Sequence, residues 1–291
     1  MDPSVWNAIL AAWVSKSTVL EFVVCQHILK KLPTSKCGTR PNIAVDKMTP
    51  QSTAVNGMFR QIKERLKFGS RWFTLPIHAG PLRGLKWIAF SGKNFLRGTY
   101  EPDKTEAVLA CVKEGDTAWD IGGHVGYYAI LESKLVGQRG QVFVFEPRPL
   151  NAAYIKRHMK LNNIENVTLI ESAVSDQPGI ARFESRTGTG TGHLSCDGNL
   201  QVETVTVDEL VEQFDYSPPD FIKLDVEGAE VEALNGALRT IERFRPRMVL
   251  ATHDDQKHEF VVELLRRLDY EFEVLENAGA DVEIVALPRA V

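Results

Sequence analysis

The sequence predicts an α/β fold, in which helices cover both faces of an open and mostly parallel sheet. From about Tyr100 onward, short apolar runs alternate with helical stretches, which is typical of βα units. Near the C-terminus, two more apolar runs flank a glycine-containing loop and predict a hairpin whose last strand is antiparallel to the others. The composition agrees, since 44% of the 291 residues are hydrophobic and a chain of this length can bury a sizeable core. We assign this domain to residues 71–291.

A helical extension and linker is predicted before this domain, in residues 1–70. Residues 1–31 and 55–68 have helical character, and a proline-containing loop separates them. Lys16 and Glu21 interrupt the first helix, so it lacks the ~18 uncharged residues that a membrane-spanning helix needs. We expect this helix to pack on the main domain or on a second subunit, and the second case would make the protein a homodimer.

Charge and cysteine content narrow the class of protein. The net charge of −4 gives no electrostatic attraction for nucleic acid or for an anionic membrane. The four cysteines do not stand in a metal-binding spacing, and their wide scatter is typical of a reduced protein rather than a disulfide scaffold. We therefore expect a cytoplasmic protein with no nucleic-acid partner and no membrane span.

The predicted elements follow one another in the order that a parallel sheet needs. Short apolar stretches within 72–90 suggest hairpins that lead into the main domain. Five apolar runs are predicted as parallel strands, at 117–121, 142–146, 167–172, 221–225 and 248–252. Helices are predicted at 127–135, 150–161, 229–242 and 256–268. The terminal hairpin joins 271–275 to 282–287 through Asn277-Ala278-Gly279, which brings the sheet to seven strands.

One segment breaks this alternation. Residues 186–192 read RTGTGTG, and they lie between two strand-like stretches at 180–184 and 203–207. A flexible hairpin tip is one interpretation, and a mobile flap over a substrate is the other. The sequence leaves both open.

A glycine-rich loop, Asp120-Ile121-Gly122-Gly123-His124-Val125-Gly126, follows the first parallel strand. Its glycines let the backbone approach a ligand closely, and the helix that starts at Tyr127 offers free N–H groups in its first turn. Such a turn holds the pyrophosphate of a dinucleotide. It would equally hold the carboxylate of S-adenosylmethionine, which has no phosphate. The position between a predicted strand and a predicted helix makes this signal stronger than glycines alone.

Two later strand ends add the parts of a nucleoside site. Glu146 ends the second parallel strand, where an acid accepts hydrogen bonds from ribose hydroxyls. The third strand ends in residues 171–176, and the small side chains of Ser172 and Ala173 leave room there for an adenine ring. Together with the glycine loop, these residues predict a cofactor that contains adenosine.

Acids and a histidine follow the fourth and fifth strands. Asp225 ends the fourth strand beside the point where ligands bind in open α/β sheets. Glu227 and Glu230 open the next helix, where acids also suit the helix dipole. His253 follows the fifth strand at the same crevice, and its ordinary pKa near neutrality makes it a candidate general base. Asp254 beside it is either a ligand or the cap of the next helix.

Six motifs stand in one order along the chain: GTYEP at 98–102, DIGGHVGYY at 120–128, FEPRP at 145–149, LNN at 161–163, SAVSD at 172–176 and IKLDVEGAE at 222–230. In this order the sequence resembles the FkbM-type S-adenosylmethionine-dependent methyltransferases. The resemblance implies a class I methyltransferase fold, which is a Rossmann-like seven-stranded sheet with a terminal antiparallel hairpin. It also implies methylation of a hydroxyl on a sugar or secondary metabolite. Gly123-His124 is a departure, because the family usually has Ala-Asn there.

The residues and the resemblance together predict one site. The residues expected to bind S-adenosylmethionine are Tyr100, Asp120, Gly122, Gly123, His124, Gly126, Tyr127, Glu146, Ser172, Ala173 and Asp225. Asp225, Glu227 and His253 are expected to act in catalysis on a small-molecule hydroxyl acceptor, with His253 taking the proton of the hydroxyl. In a second hypothesis, Asp225, His253 and Asp254 hold Mg²⁺, which lowers the pKa of the hydroxyl. We prefer the first, because the carboxylate cluster is thinner than a Mg²⁺ site needs.

Other functions stay open at this point. A methyltransferase fold that has lost catalysis would serve as a binding module. A nicotinamide-dependent oxidoreductase would share the first glycine turn and Glu146, but it does not explain the DVEGAE motif or the terminal hairpin. N-methylation of an amine is the alternative to O-methylation.

Overall fold

The computed structural model describes residues 73–186, 192–275 and 282–289. The chain divides into two units, Met1–Phe73 and Thr74–Val291, and nearly all of the described residues belong to the second. The predicted helices at 1–31 and 55–68, the linker between them and the Asn277-Ala278-Gly279 loop lie outside the described residues, as does most of the RTGTGTG segment. The roles predicted for residues 1–70, including dimerisation, therefore stay predictions.

Thirteen strands and eight helices lie within these residues. The strands are β1 Thr74–Pro76, β2 Lys86–Ile88, β3 Thr117–Ile121, β4 Gln141–Phe145, β5 Val167–Ile170, β6 Ser172–Val174, β7 Gly179–Glu184, β8 His193–Leu194, β9 Leu200–Val205, β10 Phe221–Leu224, β11 Arg247–Thr252, β12 Tyr270–Leu275 and β13 Val282–Pro288. The helices are α1 Lys93–Arg97, α2 Pro102–Cys111, α3 Tyr127–Val136, α4 Pro149–Leu161, α5 Val207–Gln213, α6 Glu230–Asn235, α7 Leu238–Phe244 and α8 Asp255–Arg267.

Seven strands form the central sheet, in the order β5-β4-β3-β10-β11-β13-β12. The pairs from β5 to β11 are parallel, and β13 runs antiparallel to both β11 and β12. The chain order reverses direction between β3 and β10, so the carboxyl ends of these two strands flank the crevice where ligands bind in such sheets. This is the class I methyltransferase sheet with a terminal hairpin, and it confirms the predicted fold.

The core lies where the helices cover the sheet. The aromatic ring of Trp119 stacks on Phe145 from the neighbouring strand, with centroids 5.2 Å apart. Helix α8 buries Val261, Leu264 and Leu265, whose three- and four-residue spacing places them on one face. None of the helices in the described ranges has the length and apolar character that crossing a membrane requires.

A second sheet grows out of the end of β5, with the strand order β6-β9-β7-β8. Strand β6 is parallel to β9, while β7 is antiparallel to β9 and β8. Ala173, Phe183 and Val202 form its small core. Two strands were predicted near here, at 180–184 and 203–207, and they correspond to β7 and β9. The residues 172–174 that were expected to end the third strand of the main sheet instead form β6.

Two helical stretches differ from the prediction. The single helix expected at 229–242 is divided into α6 and α7 at Gly236. A Cβ on Gly236 would lie 1.9 Å from the backbone oxygen of Ser175, so the backbone comes too close there for another residue. Val207, which was expected to end a strand, begins α5, because the Oγ1 atom of Thr206 accepts a hydrogen bond from the N–H of Glu209 (3.0 Å) and caps that helix.

Strands β1 and β2 form the hairpin predicted within 72–90, and His158 connects this hairpin to the glycine loop. The ring of His158 on α4 stacks on Trp87 with centroids 3.7 Å apart. Its Nε2 accepts a hydrogen bond from the N–H of Ile88 (3.0 Å), and its Nδ1 donates to the backbone oxygen of Val125 (2.9 Å). His158 therefore joins β2 to the loop through a neutral imidazole.

Candidate active site

A cavity of about 430 Å³ lies at the carboxyl ends of the central strands. This volume is within the usual range of small-molecule sites, about 300–1,000 Å³. The lining extends from β6 and the second sheet, past the ends of β4, β3 and β10, to β13. Of the residues predicted from sequence, those that line it are Tyr100, Gly122, Gly123, His124, Tyr127, Glu146, Ser172, Ala173, Asp225 and Glu227.

The glycine loop brings the ends of β3 and β10 unusually close together. The φ angle of Gly122 is +89°, in the left-handed region that favours glycine. A Cβ at this position would lie 1.9 Å from the backbone oxygen of Asp225. The N–H groups of Gly122 and Gly123 both donate to the backbone oxygen of Phe145, at 3.0 and 2.9 Å. The loop is therefore fixed between the two neighbouring strands before α3 begins.

His124, the residue that departs from the family pattern, lines the cavity as a neutral imidazole. Burial, together with the charge of Lys223, lowers the pKa of His124 to about 4. Its Nε2 atom is shielded from solvent and has no hydrogen-bond partner among the described residues. A buried polar atom without a partner is unfavourable by about 1–3 kcal/mol, so this nitrogen is suited to a ligand that completes the bond.

Two residues predicted to bind the cofactor, Asp120 and Gly126, are not among the residues that line the cavity. Asp120 is fully buried, and the ammonium of Lys223 lies 3.0 Å from its Oδ1. Burial raises the pKa of Asp120, although the Lys223 charge opposes the rise. Lys223 also donates to the backbone oxygen of Gly122 (2.8 Å), so the pair Asp120–Lys223 shapes the loop from beneath.

Glu146 is positioned at the end of β4 by the start of α4. Its Oε1 accepts hydrogen bonds from the N–H of Arg148 (2.9 Å) and from the side chain of Asn151 (3.3 Å). Burial raises the pKa of Glu146 to about 7, and these hydrogen bonds only partly oppose the rise. Ser172 and Ala173 also line the cavity, as does Phe183 of the second sheet, which packs in one cluster with Ala173.

Acids line the other end of the cavity, and the predicted base His253, which is not among the lining residues, lies next to them. Asp225 follows β10, and Glu227 follows it with a left-handed φ of +54°. The Nδ1 atom of His253 lies 2.6 Å from Oε1 of Glu230. Its Nε2 lies 3.6 Å from Oδ1 of Asp225 and 3.7 Å from Oε2 of Glu227. The structure thus brings the three predicted catalytic residues together, with Glu230 as a fourth member.

Neighbouring charges determine the protonation states of His253 and Asp225. Burial alone would lower the pKa of His253, but the hydrogen bond to Glu230 and the three nearby carboxylates raise it to about 9. Burial likewise opposes ionisation of Asp225, yet the ammonium groups of Lys104 and Lys223 hold the pKa of that carboxyl well below its usual range. At neutral pH, His253 is therefore an imidazolium beside an ionised Asp225.

Asp225, Glu227 and His253 each offer a ligand atom within 4.8 Å of the others, so they could hold a metal ion. The ligand set predicted from sequence had Asp254 in place of Glu227. Asp254 is the N-cap of α8: its side chain accepts a hydrogen bond from the N–H of Lys257 and forms an ion pair with the same lysine. The capping interpretation of Asp254 is the one that the structure supports.

Sequence reasoning missed one charged residue at the centre of this end. The ammonium of Lys104, on α2, lies 2.9 Å from a carboxylate oxygen of each of Glu101, Asp225 and Glu283. The available signal was a lysine in the first turn of a helix, where a positive charge opposes the helix dipole.

Comparisons with known proteins identify the family. The family model described as "Methyltransferase FkbM domain" matches residues 120–278, which is more than half of the chain. The hexuronic acid methyltransferase AglP of Haloferax volcanii is 30% identical over 149 residues, which is 50% of this chain and 59% of that protein. The 2-O-methyltransferase NoeI of Sinorhizobium fredii is 28% identical over 139 residues, covering 41% and 56% respectively. The matches thus span less than two thirds of either relative.

Solved structures also align with the chain. A methyltransferase FkbM from Methylobacillus flagellatus KT aligns with a TM-score of 0.46 and 16% identity, covering 67% of this chain and 52% of that one. An S-adenosylmethionine-dependent O-methyltransferase from Thermotoga maritima aligns with a TM-score of 0.45 and 17% identity, covering 66% of each. On the match of the family model, this chain belongs to the FkbM methyltransferase domain family.

Proposed function

We propose that this chain transfers the methyl group of S-adenosylmethionine to a hydroxyl of a sugar or secondary metabolite. One observation carries the proposal: the cavity passes in order along Ser172 and Ala173, Glu146, the glycine loop and Asp225. In that order the residues suit an adenine, a ribose, the amino-acid part of the cofactor and the transferred methyl group. Family membership supports the same cofactor.

The side chains present fit this cofactor chemically. The small side chains of Ser172 and Ala173 suit a flat ring, and the Glu146 carboxylate accepts hydrogen bonds from hydroxyls. His124 offers an Nε2 atom that has no partner among the described residues. Asp225 provides negative charge for a cofactor that carries a positive sulfonium, which is the group that supplies an electrophilic methyl. Asp120 and Gly126 act indirectly in this proposal, by shaping the loop.

A carbohydrate acceptor is supported by the named relatives, which methylate a hexuronic acid and a 2-O position. The chain covers only part of each, so the transfer of their substrate class to this chain is a proposal. The scattered cysteines and the net charge of −4 support a cytoplasmic protein that acts on a small molecule rather than on nucleic acid. We also propose that the protein forms a homodimer through its N-terminal helix.

The protein has to align the acceptor and to receive the proton of its hydroxyl. Alignment by itself contributes several kcal/mol to such a displacement, up to about 7–11 kcal/mol in well-oriented systems. We assign proton removal to His253, whose Nδ1 is held by Glu230 and whose Nε2 faces Asp225 and Glu227. Because the pKa of His253 is about 9, the imidazole accepts a proton only in its deprotonated fraction, and the rate should rise with pH up to about 9.

His253→Ala tests this assignment. We expect a fall in kcat of about 10²–10⁴, the usual contribution of a general base, and loss of the rise with pH. Full activity in a folded His253→Ala protein would contradict it.

A metal route is the second candidate, because Asp225, Glu227 and His253 could hold a cation together. A divalent ion there would lower the pKa of the acceptor hydroxyl in place of a base. We keep the base route first, since two carboxylates and an imidazole are few ligands for Mg²⁺, which prefers six oxygens. Loss of turnover after exhaustive EDTA treatment, with recovery on adding Mg²⁺, would reverse this order.

The proposed function is tested first by binding and then by turnover. Calorimetric titration with S-adenosylhomocysteine and with NAD separates a methyltransferase from an oxidoreductase, and we expect only the first ligand to bind. Release of S-adenosylhomocysteine is then measured on a panel of hexoses, hexuronic acids and hydroxylated metabolites, with amines as the N-methylation control. Binding without turnover across the panel would favour a non-catalytic module.

A further inference from the structure

Lys104 occupies a position that is unfavourable for a lysine on two grounds. It stands in the first turn of α2, where a positive charge opposes the helix dipole. Its side chain is only 5% exposed, and lysines are almost never buried unless they are paired. Local sequence rules broken in this way occur most often at functional sites.

Three carboxylates from three parts of the fold surround the Lys104 ammonium. Glu101 precedes α2, Asp225 follows β10 and Glu283 lies in β13, and each has an oxygen 2.9 Å from Nζ. An ammonium has three N–H donors, so each carboxylate can take one. A neutral side chain of the same length would leave three neighbouring negative charges without this common partner.

The two oxygens of Asp225 have different neighbours as a result. Oδ2 accepts a hydrogen bond from Lys104 (2.9 Å), while Oδ1 faces Nε2 of His253 at 3.6 Å. The carboxylate is therefore held in one orientation, with one oxygen toward the catalytic histidine.

Lys104 also fixes the segment that closes one wall of the cavity. Glu101 has a left-handed φ of +38°, which is strained for a residue with a side chain. Its Oε2 is held by Lys104 and by a hydrogen bond from the hydroxyl of Tyr128 (3.0 Å). Tyr100, beside Glu101, lines the cavity. The ammonium thus ties this wall to the end of β10.

We propose that Lys104 is a positioning residue, whose ammonium holds the carboxylates of Asp225 and Glu101 in fixed positions at one end of the cavity. The proposal rests on the proposed function. It predicts that loss of the Lys104 charge weakens S-adenosylmethionine binding, and that Lys104→Arg, which keeps a positive charge there, weakens it less.

The test titrates S-adenosylmethionine into the wild type, Lys104→Met and Lys104→Arg in a calorimeter at pH 8. The readout is the dissociation constant of each variant divided by that of the wild type. We expect this ratio to be at least about 10 for Lys104→Met, because hydrogen bonds to charged groups are among the strongest in proteins. The ratio should be smaller for Lys104→Arg, which keeps a positive charge beside the three carboxylates. Once an acceptor has been identified, kcat/KM of Lys104→Met for that acceptor should be about 10²-fold below the wild-type value, which is the loss expected when a catalytic group is misplaced.

Lys156→Met is the matched control. Lys156 forms an exposed ion pair with Glu171, and neither residue lines the cavity, so loss of this lysine–glutamate pair should leave the ratio near 1.

Lys104→Met/Glu283→Gln is the second variant, for the case in which the single variant does not fold. It removes one buried anion together with the cation and still leaves Asp225 without Lys104, so a ratio of at least about 10 is again expected. A folded variant of either kind whose ratio stays near 1, or a folded Lys104→Arg that binds no better than Lys104→Met, would overturn the proposal. Failure of the wild type itself to bind S-adenosylmethionine would instead reject the proposed function.

Discussion

Gly122→Ala tests the close approach of β3 and β10 on which the site depends. The added Cβ would lie 1.9 Å from the backbone oxygen of Asp225. Carbon and oxygen that are not bonded stay at least about 3.3 Å apart, so the loop or the end of β10 has to move by about 1.4 Å. A displacement of about 1 Å can lower catalytic efficiency about 10²-fold. We expect the variant to bind S-adenosylmethionine much more weakly and to lose most activity.

The chain offers a matched control for the backbone strain. Gly115 has the same φ of +89°, but a Cβ there would have nothing within 4 Å. Gly115→Ala therefore measures the left-handed strain alone, about 1–2 kcal/mol. Overcrowding in Gly122→Ala adds about 1–3 kcal/mol to this. A middle value of 2 kcal/mol corresponds to a Tm about 4–8 °C below that of Gly115→Ala in a domain of this size.

Calorimetric binding of S-adenosylmethionine and thermal unfolding of the three proteins give the answer. The reasoning requires that Gly115→Ala binds the cofactor like the wild type, while Gly122→Ala does not. Equal Tm values for the two variants, together with wild-type cofactor affinity in Gly122→Ala, would refute it, because the two strand ends could not then lie as close as described.

Two further predictions concern pH. The pKa of Glu146 is about 7, so the affinity of the wild type for S-adenosylmethionine should increase as the pH rises through 7 and the carboxylate ionises. In Glu146→Gln this increase should vanish, and binding should weaken about tenfold. If calorimetry found the same pH profile in Glu146→Gln as in the wild type, the assignment of Glu146 to the ribose would be wrong. His158 has a folded-state pKa of about 4, below the unfolded value of 6.5, so its contribution to stability is complete above pH 6.5 and is lost as the pH falls toward 4. At about 1.4 kcal/mol per pKa unit, this contribution of His158 to the free energy of unfolding amounts to about 3 kcal/mol. Measured by urea unfolding, the free energy of unfolding of His158→Gln should therefore fall less steeply between pH 6.5 and pH 4 than that of the wild type. An equally steep fall in both proteins would contradict this prediction.

The sequence itself determined the central sheet and the cofactor end of the cavity. Strand β3 and helix α3 could be predicted because apolar periodicity, glycines and helix starts are local signals. The same is true of Glu146, whose position in the cavity follows from standing at the end of a strand next to the glycine loop in the sheet. In a parallel sheet, the carboxyl ends of neighbouring strands meet at one edge, so local assignments are enough to bring these residues together.

The charged contacts around Asp225 could not be predicted without the tertiary structure. Lys104 lies 121 positions from Asp225 and meets it only after α2 packs beside β11, a contact that no local pattern encodes. The sequence also left the role of Asp254 open between a ligand and a cap. Its hydrogen bond to Lys257 supports the cap, and the partner of His253 is instead Glu230.

Tertiary packing also set the bounds of the elements that the sequence misjudged. The helix expected at 229–242 is divided where Asp208, from a distant part of the chain, accepts hydrogen bonds from the N–H groups of Arg239 and Thr240 and donates its own N–H to the backbone oxygen of Gly236. Strand β6 pairs with β9, about 30 residues further on, instead of extending the third strand of the main sheet. Periodicity indicates which residues become buried, but where an element ends depends on which backbone lies against it. The sequence therefore determined the fold and most of the residues that line the cavity, and the folded chain decided which charges meet around Asp225.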